Sequence, residues 1–257
     1  MLAGVVRFAP SNVKDCPRVL CYHRVEPEPR DRWSVSVQDF AMQMRCLRTD
    51  WNPVGLSDVA EWLDGNRELA GRSVVVTFDD GFMDVFKHAL PVLDRYSIPA
   101  TMFVCPRFVE IGDGERDSGF EAEGPFMGWK HLEILSQAGC MLGSHSQTHP
   151  VLSRLDEKSA REEIAESRRQ IESATGKPCR VFCYPYGTPA AVSEREWALV
   201  EEAGYTLAFS SVTGALSKEA NRWYLPRSKV LAGDKESTFM AILEGRLDAW
   251  RHIERRH

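Results

Sequence analysis

Three short stretches of the chain combine residue types that do hydrolytic chemistry. The first is Val76-Thr77-Phe78-Asp79-Asp80-Gly81, where two adjacent carboxylates close an apolar run and a glycine follows at once. Neighbouring residues on extended backbone point in different directions. One carboxylate can therefore hold a metal ion while the other faces a reacting water. A turn with both side chains in solvent is the plainer alternative, and the stretch alone leaves the two in balance. The second is His145-Ser146-Gln147-Thr148-His149, which holds two of the seven histidines. The i, i+4 spacing puts both imidazoles on one face if the segment is helical. One capping and one packing histidine is the alternative. The metalloprotease pattern HExxH fails because Ser146 stands where its glutamate would. A metal needs a third ligand, and Asp80 is a suitable donor. The third stretch, Arg180-Val181-Phe182-Cys183-Tyr184-Pro185-Tyr186-Gly187, ends an apolar run in a sharp turn that aims backbone N–H groups outward. Alone it is also an ordinary strand exit.

These stretches need a frame that brings strand ends together. Strands are expected at Val19–Tyr22, Ser73–Phe78, Ala100–Val104, Cys140–Ser144, Val181–Tyr184 and Thr206–Ser210. Val74-Val75-Val76 is continuous rather than alternating, as in a parallel strand buried on both faces. Helices are expected at Val37–Arg48, Leu56–Leu63, Asp84–Tyr96, Trp129–Ala138, Glu157–Ala174, Glu194–Ala203 and Glu236–Arg255. Ala138-Gly139 and Ala203-Gly204 each end a helix on the residue that best accepts a left-handed conformation, and a strand follows. The mixed charges of Glu162–Arg169 read as a solvated outer face. Glu26–Trp33 and the glycine-rich Pro106–Gly128 read as loops, the second following a strand, where long loops often form part of a site. The strand-then-helix rhythm argues for a βα barrel or a doubly wound sheet. In a barrel, catalytic groups collect at the strand ends.

Composition narrows the function. The 257 residues are 43% hydrophobic and 27% charged, with net charge −5, so the chain is globular and poorly suited to nucleic acid or an anionic membrane. A single domain over residues 1–257 is expected. No apolar run is long enough for a membrane helix. The start lacks a basic leader followed by an apolar stretch, so no signal peptide is expected. Seven cysteines without CxxC spacing argue against a disulfide framework and for a reducing, cytoplasmic compartment, with peripheral membrane association if the substrate is lipid-linked.

Together the motifs resemble the polysaccharide deacetylase family, also called the NodB-homology group or carbohydrate esterase family 4. They are Thr77-Phe78-Asp79-Asp80-Gly81, His-Ser-x-x-His from His145 to His149, and Arg-x-Phe-x-x-Pro-Tyr-Gly from Arg180 to Gly187. The resemblance covers roughly Arg18 to Lys229. It implies an α/β fold, a distorted (β/α) barrel of the NodB type. It implies that Asp80, His145 and His149 hold one divalent metal, zinc by preference, with cobalt or nickel able to substitute. Asp79 is then the general base, Arg180 its pairing partner, and the backbone N–H of Tyr186 an oxyanion donor. The substrate is a carbohydrate bearing N-acetyl groups, and acetate leaves.

The sequence departs from the common family pattern in two places. No late Leu-x-His follows Gly187, where only His252 and His257 remain. Instead Val19-Leu20-Cys21-Tyr22-His23 resembles the early motif of the poly-N-acetylglucosamine deacetylase branch. That resemblance makes His23 the general acid, against the alternative of a core histidine. The Asp-Trp motif is also absent, and Asn221-Arg222-Trp223-Tyr224-Leu225-Pro226-Arg227 occupies its region. Trp223 suits a sugar face less well than a core or rim position, and Arg227 is a candidate to reach the acid histidine. Two competing functions stay open: an allantoinase-like hydrolase of another non-peptide C–N bond, and a non-catalytic carbohydrate-binding domain.

Overall fold

A computed structural model describes residues 16–114 and 125–251. Its strands are β1 (Arg18–Tyr22), β2 (Arg24–Glu26), β3 (Ser34–Ser36), β4 (Asn52–Pro53), β5 (Ser73–Phe78), β6 (Ala100–Val104), β7 (Met141–Ser144), β8 (Val181–Cys183), β9 (Leu207–Phe209) and β10 (Ser228–Lys229). The helices are α1 (Val37–Asp50), α2 (Leu56–Leu63), α3 (Leu90–Tyr96), α4 (Pro106–Gly112), α5 (Trp129–Gln137), α6 (Glu157–Thr175), α7 (Glu194–Glu202) and α8 (Glu236–Leu243).

The main sheet runs β10-β1-β5-β6-β7-β8-β9, parallel throughout, with β4 beside β5. The chain before β10 also bonds to the far edge: Ser210 N–H donates to Leu225 O at 2.8 Å and Arg227 N–H to Val212 O at 2.9 Å. The ladder thereby returns to its first strand, and the expected distorted (β/α) barrel forms.

Side-chain alternation sorts the strand residues into two layers. Leu20, Tyr22, Val74, Val76 and Phe78 face the helices in one cluster. Val19, Val75, Phe103, Val181, Cys183, Leu207 and Phe209 form the inner cluster, joined by Leu56, Val59 and Trp62 of α2. The inward parity continues upward along each strand: Val19-Cys21-His23 on β1, Val75-Thr77-Asp79 on β5, Gly143-His145 on β7. The sequence thus sets an apolar floor beneath a polar mouth.

Gly143 shows how tight this floor is. A Cβ there would lie 2.6 Å from the Phe103 ring and 2.8 Å from Val181 Cγ2. Overpacking of a buried position typically costs about 1–3 kcal/mol. Gly143→Ala is expected to lose that much in denaturant unfolding, and an unchanged midpoint would mean the floor can yield.

Two expectations change. The last helix stops at Leu243 instead of running to Arg255; a turn at Gly245 (φ 73°) breaks it, and a short 3-10 turn follows at Asp248–Trp250. The glycine-rich stretch opens as helix α4, because Pro106 sits in its first turn, where a missing N–H costs nothing. Residues 115–124 and 252–257, including His252 and His257, lie outside the described residues. Among the described residues no helix is long and apolar enough to cross a membrane.

Candidate active site

Asp79, His145 and His23 each stand one step beyond a strand, and the first two are held there by the last rung of a ladder. Asp79 N–H donates to Tyr22 O at 3.0 Å, and His145 N–H to Val104 O at 2.9 Å. Beyond those rungs the backbone turns sharply. Gly81 N–H donates to Asp79 O at 2.9 Å across Asp80, whose φ is 70°. Gly187 N–H donates to Pro185 O at 2.7 Å across Tyr186, whose φ is 63°. Such i to i+2 turns with positive central φ are rare and strained, at about 1–3 kcal/mol each. The first turn explains how adjacent carboxylates serve one site. Asp79 points inward by strand parity, and the reversal at Asp80 carries the second carboxylate back over the mouth.

His145 and His149 are not on a helix. They flank a tight turn with positive φ at Ser146 (64°) and His149 (62°). Ser146 Oγ accepts His149 N–H at 3.1 Å. Glu163 of α6 clamps the turn from outside, accepting the N–H groups of Gln147 at 2.9 Å and Thr148 at 2.8 Å. The helical-face expectation therefore fails, but the outcome, two imidazoles on one point, is reached by the turn.

That point is Asp80. Its Oδ1 lies 3.5 Å from His145 Nε2 and 3.4 Å from His149 Nε2. Ligands held tetrahedrally at ~2.0–2.2 Å from one ion stand roughly 3.3–3.6 Å apart, so these separations fit a shared cation. His145 Nδ1 lies 2.7 Å from Cys183 O. A carbonyl only accepts, so Nδ1 carries the proton and Nε2 presents its lone pair. Burial pushes His145 down to about 3, which keeps the imidazole in the neutral form that ligates.

Asp79 is 3% exposed and faces the same space. Its partner is not Arg180. That residue precedes β8, at the opposite end of the strand from the mouth, and is exposed. Arg227 takes the place instead: Nη1 donates to Asp79 Oδ1 and Nη2 to Oδ2, each at 2.7 Å. Arg227 is itself 1% exposed and reaches in from the segment that closes the barrel. Burial disfavours the Asp79 carboxylate, but the Arg227 charge and its paired hydrogen bonds override that and hold it well below the usual carboxylate range. Cys21 Sγ lies 3.4 Å and Cys183 Sγ 3.7 Å from Asp79 Oδ2. The sequence offered Arg227 only as a residue near the acid histidine; the closure of the barrel brings it to Asp79.

His23 continues β1 into the mouth. One of its ring nitrogens, Cys21 Sγ and an Asp79 oxygen lie within 4.8 Å of one another. Its ring packs on Trp33 with centroids 4.7 Å apart. On the far side the Tyr186 ring, 55% exposed, sits 5.0 Å from His149. His131 is spent elsewhere, its Nδ1 accepting Gly128 N–H at 3.2 Å at the start of α5. Trp223 is packed at the edge of the core. The mouth is a cavity of about 480 Å³ lined by His23, Asp79, Asp80, His145, His149 and Tyr186, with Trp33 and Arg227 among its walls.

Comparison with known proteins bears on the family and the fold. The chain is 24% identical over 227 residues to YxkH of Bacillus subtilis (strain 168), a protein that carries a polysaccharide deacetylase name; the match spans 88% of this chain and 75% of that one. It is 23% identical over 207 residues to a Staphylococcus aureus poly-beta-1,6-N-acetyl-D-glucosamine N-deacetylase, spanning 76% and 67%. The solved structure of the Streptococcus pyogenes deacetylase PplD in complex with acetate superposes with a TM-score of 0.79 at 19% identity, covering 89% of this chain and 98% of that one, and so shares the fold. The polysaccharide deacetylase family model matches residues 66–208, which hold both strained turns and the His145–His149 loop, and the chain belongs to that family.

Proposed function

We propose that the protein is a metal-dependent hydrolase that removes N-acetyl groups from an amino sugar and releases acetate. The observation that carries this reading is the convergence of an arginine-locked, ionised Asp79, a two-histidine, one-carboxylate cluster and His23 on one cavity. Asp80, His145 and His149 would hold one zinc-like ion, which when bound polarises the acetyl carbonyl and acidifies a water. The remaining steps fall to the chain's own groups. Asp79 accepts the proton of the attacking water, and Arg227 fixes both of its oxygens so that the accepting lone pair has one direction. The Tyr186 N–H, which has no protein acceptor among the described residues, donates to the carbonyl oxygen as it gains charge. His23 gives a proton to the departing nitrogen.

The substrate class rests on the relatives. The Staphylococcus aureus relative is named for poly-beta-1,6-N-acetyl-D-glucosamine, and the early His23 motif fits that branch. We place the enzyme on a glycan, oligosaccharide, or lipid- or nucleotide-linked saccharide bearing N-acetylglucosamine-like units. Seven free cysteines, two of them against Asp79, support a reducing, cytoplasmic compartment.

Acetate release from N-acetylglucosamine oligosaccharides, with and without a chelator, tests the reading. Release that stops on chelation and returns with zinc is expected. Hydrolysis confined to non-sugar amides would favour the allantoinase-like alternative, and no turnover on either class would favour a binding domain. His145→Ala is expected to lose most of the metal in elemental analysis, because it removes one of three ligands. Full occupancy in that variant would mean that other residues hold the ion.

A further inference from the structure

The floor of the mouth holds chemistry that the proposed reaction does not use. Cys21 continues the inward parity of β1 directly below His23, and it lines the cavity. Its Sγ, a His23 ring nitrogen and an Asp79 oxygen lie within 4.8 Å of one another. Cys183 reaches the same carboxylate oxygen from the opposite wall, 3.7 Å away. Cys21, His23 and Asp79 line the cavity, and Cys183 lies buried behind Asp79. Sulfur and nitrogen donors this close together select zinc and its softer relatives over magnesium or calcium.

We infer that Cys21, His23 and Asp79, supported by Cys183, form a second metal site on the floor of the mouth, filled by a thiophilic divalent ion in excess and inhibitory when filled. The binding half stands on donor geometry alone; the inhibitory half rests on the roles proposed above for Asp79 and His23. Binding exchanges the Cys21 thiol proton, released to solvent, for a sulfur–metal bond. It also occupies the ring nitrogen and the carboxylate oxygen that the reaction needs for its own protons. Arg227 lies against Asp79 and against Cys183 Sγ at 2.9 Å, and its charge repels an incoming cation. The floor site is therefore expected to bind more weakly than the Asp80–His145–His149 site. Loss of the Cys183 proton as well would bring the cluster closer to neutrality.

Cadmium is the probe, because thiolate ligation of Cd²⁺ gives an ultraviolet charge-transfer band that nitrogen and oxygen ligation does not. The metal-free protein should take up two Cd²⁺ per chain in equilibrium dialysis, the second with the band and with loss of acetate release. His145→Ala should keep the band and lose the tighter ion. Cys21→Ser should lose the band and bind one ion. His23→Ala, which leaves both thiols in place, should weaken the second ion by more than about tenfold, the loss that removal of even an outer partner brings. A band that persists in full in Cys21→Ser would come from another cysteine and overturn the site, as would a wild-type protein that shows no band at saturation. Two ions bound with a band and unimpaired acetate release would leave the site standing and reject the roles of Asp79 and His23.

Discussion

Asp79→Asn is expected to lower deacetylation by about 10²–10⁴-fold, the usual worth of a positioned general base, because an amide cannot take the water's proton. The same change should also weaken the fold. Arg227 is 1% exposed and both of its terminal nitrogens are committed to Asp79. An asparagine leaves that buried guanidinium without its counter-charge, which typically costs about 3–5 kcal/mol. The double variant Asp79→Asn/Arg227→Met removes the stranded charge and should recover much of that stability in a thermal melt, yet no turnover. Activity that returned with stability would mean Asp79 is structural. A single variant that lost less than about tenfold in turnover while fully folded would lead to the same conclusion.

The pair also fixes a direction for pH. Arg227 holds the Asp79 carboxyl below its ordinary value in the folded protein. A group depressed in this way binds more protons in the unfolded chain, so its contribution to stability is fully present above ~4 and lost as pH falls below that. The wild-type protein should therefore lose stability more steeply on acidification than Asp79→Asn/Arg227→Met, which lacks the pair. Parallel acid-unfolding curves for the two proteins would show that the pair contributes nothing.

What the sequence made legible is what local pattern controls. Ser73–Phe78 is a strand because Val74-Val75-Val76 has nothing polar to show either face, and the structure keeps those bounds. The odd-numbered positions 75, 77 and 79 put Asp79 in the barrel by parity alone. The Asp80 reversal was legible only as a glycine following two acids; nothing in the motif says that Asp80 itself takes the positive φ. Arg180 illustrates the opposite case. It sits inside a recognisable motif, yet a residue at the start of a strand cannot reach a site at the ends of the strands. Arg227 lies 148 residues from Asp79 in sequence, and no local pattern pairs the two. Its role depends on barrel closure, a long-range fact that periodicity does not carry. Glu163 was hidden for a related reason. Mixed charge on a helix reads as solvated surface, and only the fold shows that one of those carboxylates receives the backbone of the His145–His149 turn.

His23→Ala should separate the acid from the rest of the site. An amine anion is a very poor leaving group, so amide hydrolysis needs a proton at the nitrogen, and imidazole with an unperturbed pKa of ~6.5 can supply it near neutrality. His23 lies on the Asp79 side of the cavity, with a ring nitrogen within 4.8 Å of an Asp79 oxygen, and is not among the Asp80, His145 and His149 donors. Trp33 packs against its ring at 4.7 Å and limits the directions it can point. The other described histidines outside that donor set, His88 and His131, lie on the helical segments around α3 and α5, and neither lines the cavity. His23→Ala is therefore expected to keep the metal in elemental analysis and to lose about 10²–10⁴-fold on acetamido sugars. On an activated aryl acetate, whose phenolate departs without a proton, the loss should be far smaller. The contrast between the two substrates is the discriminating quantity, because damage to the metal cluster or to Asp79 slows both alike. Equal losses would remove His23 from the proton path and make it a wall of the site, positioned by Trp33 and acting only through shape.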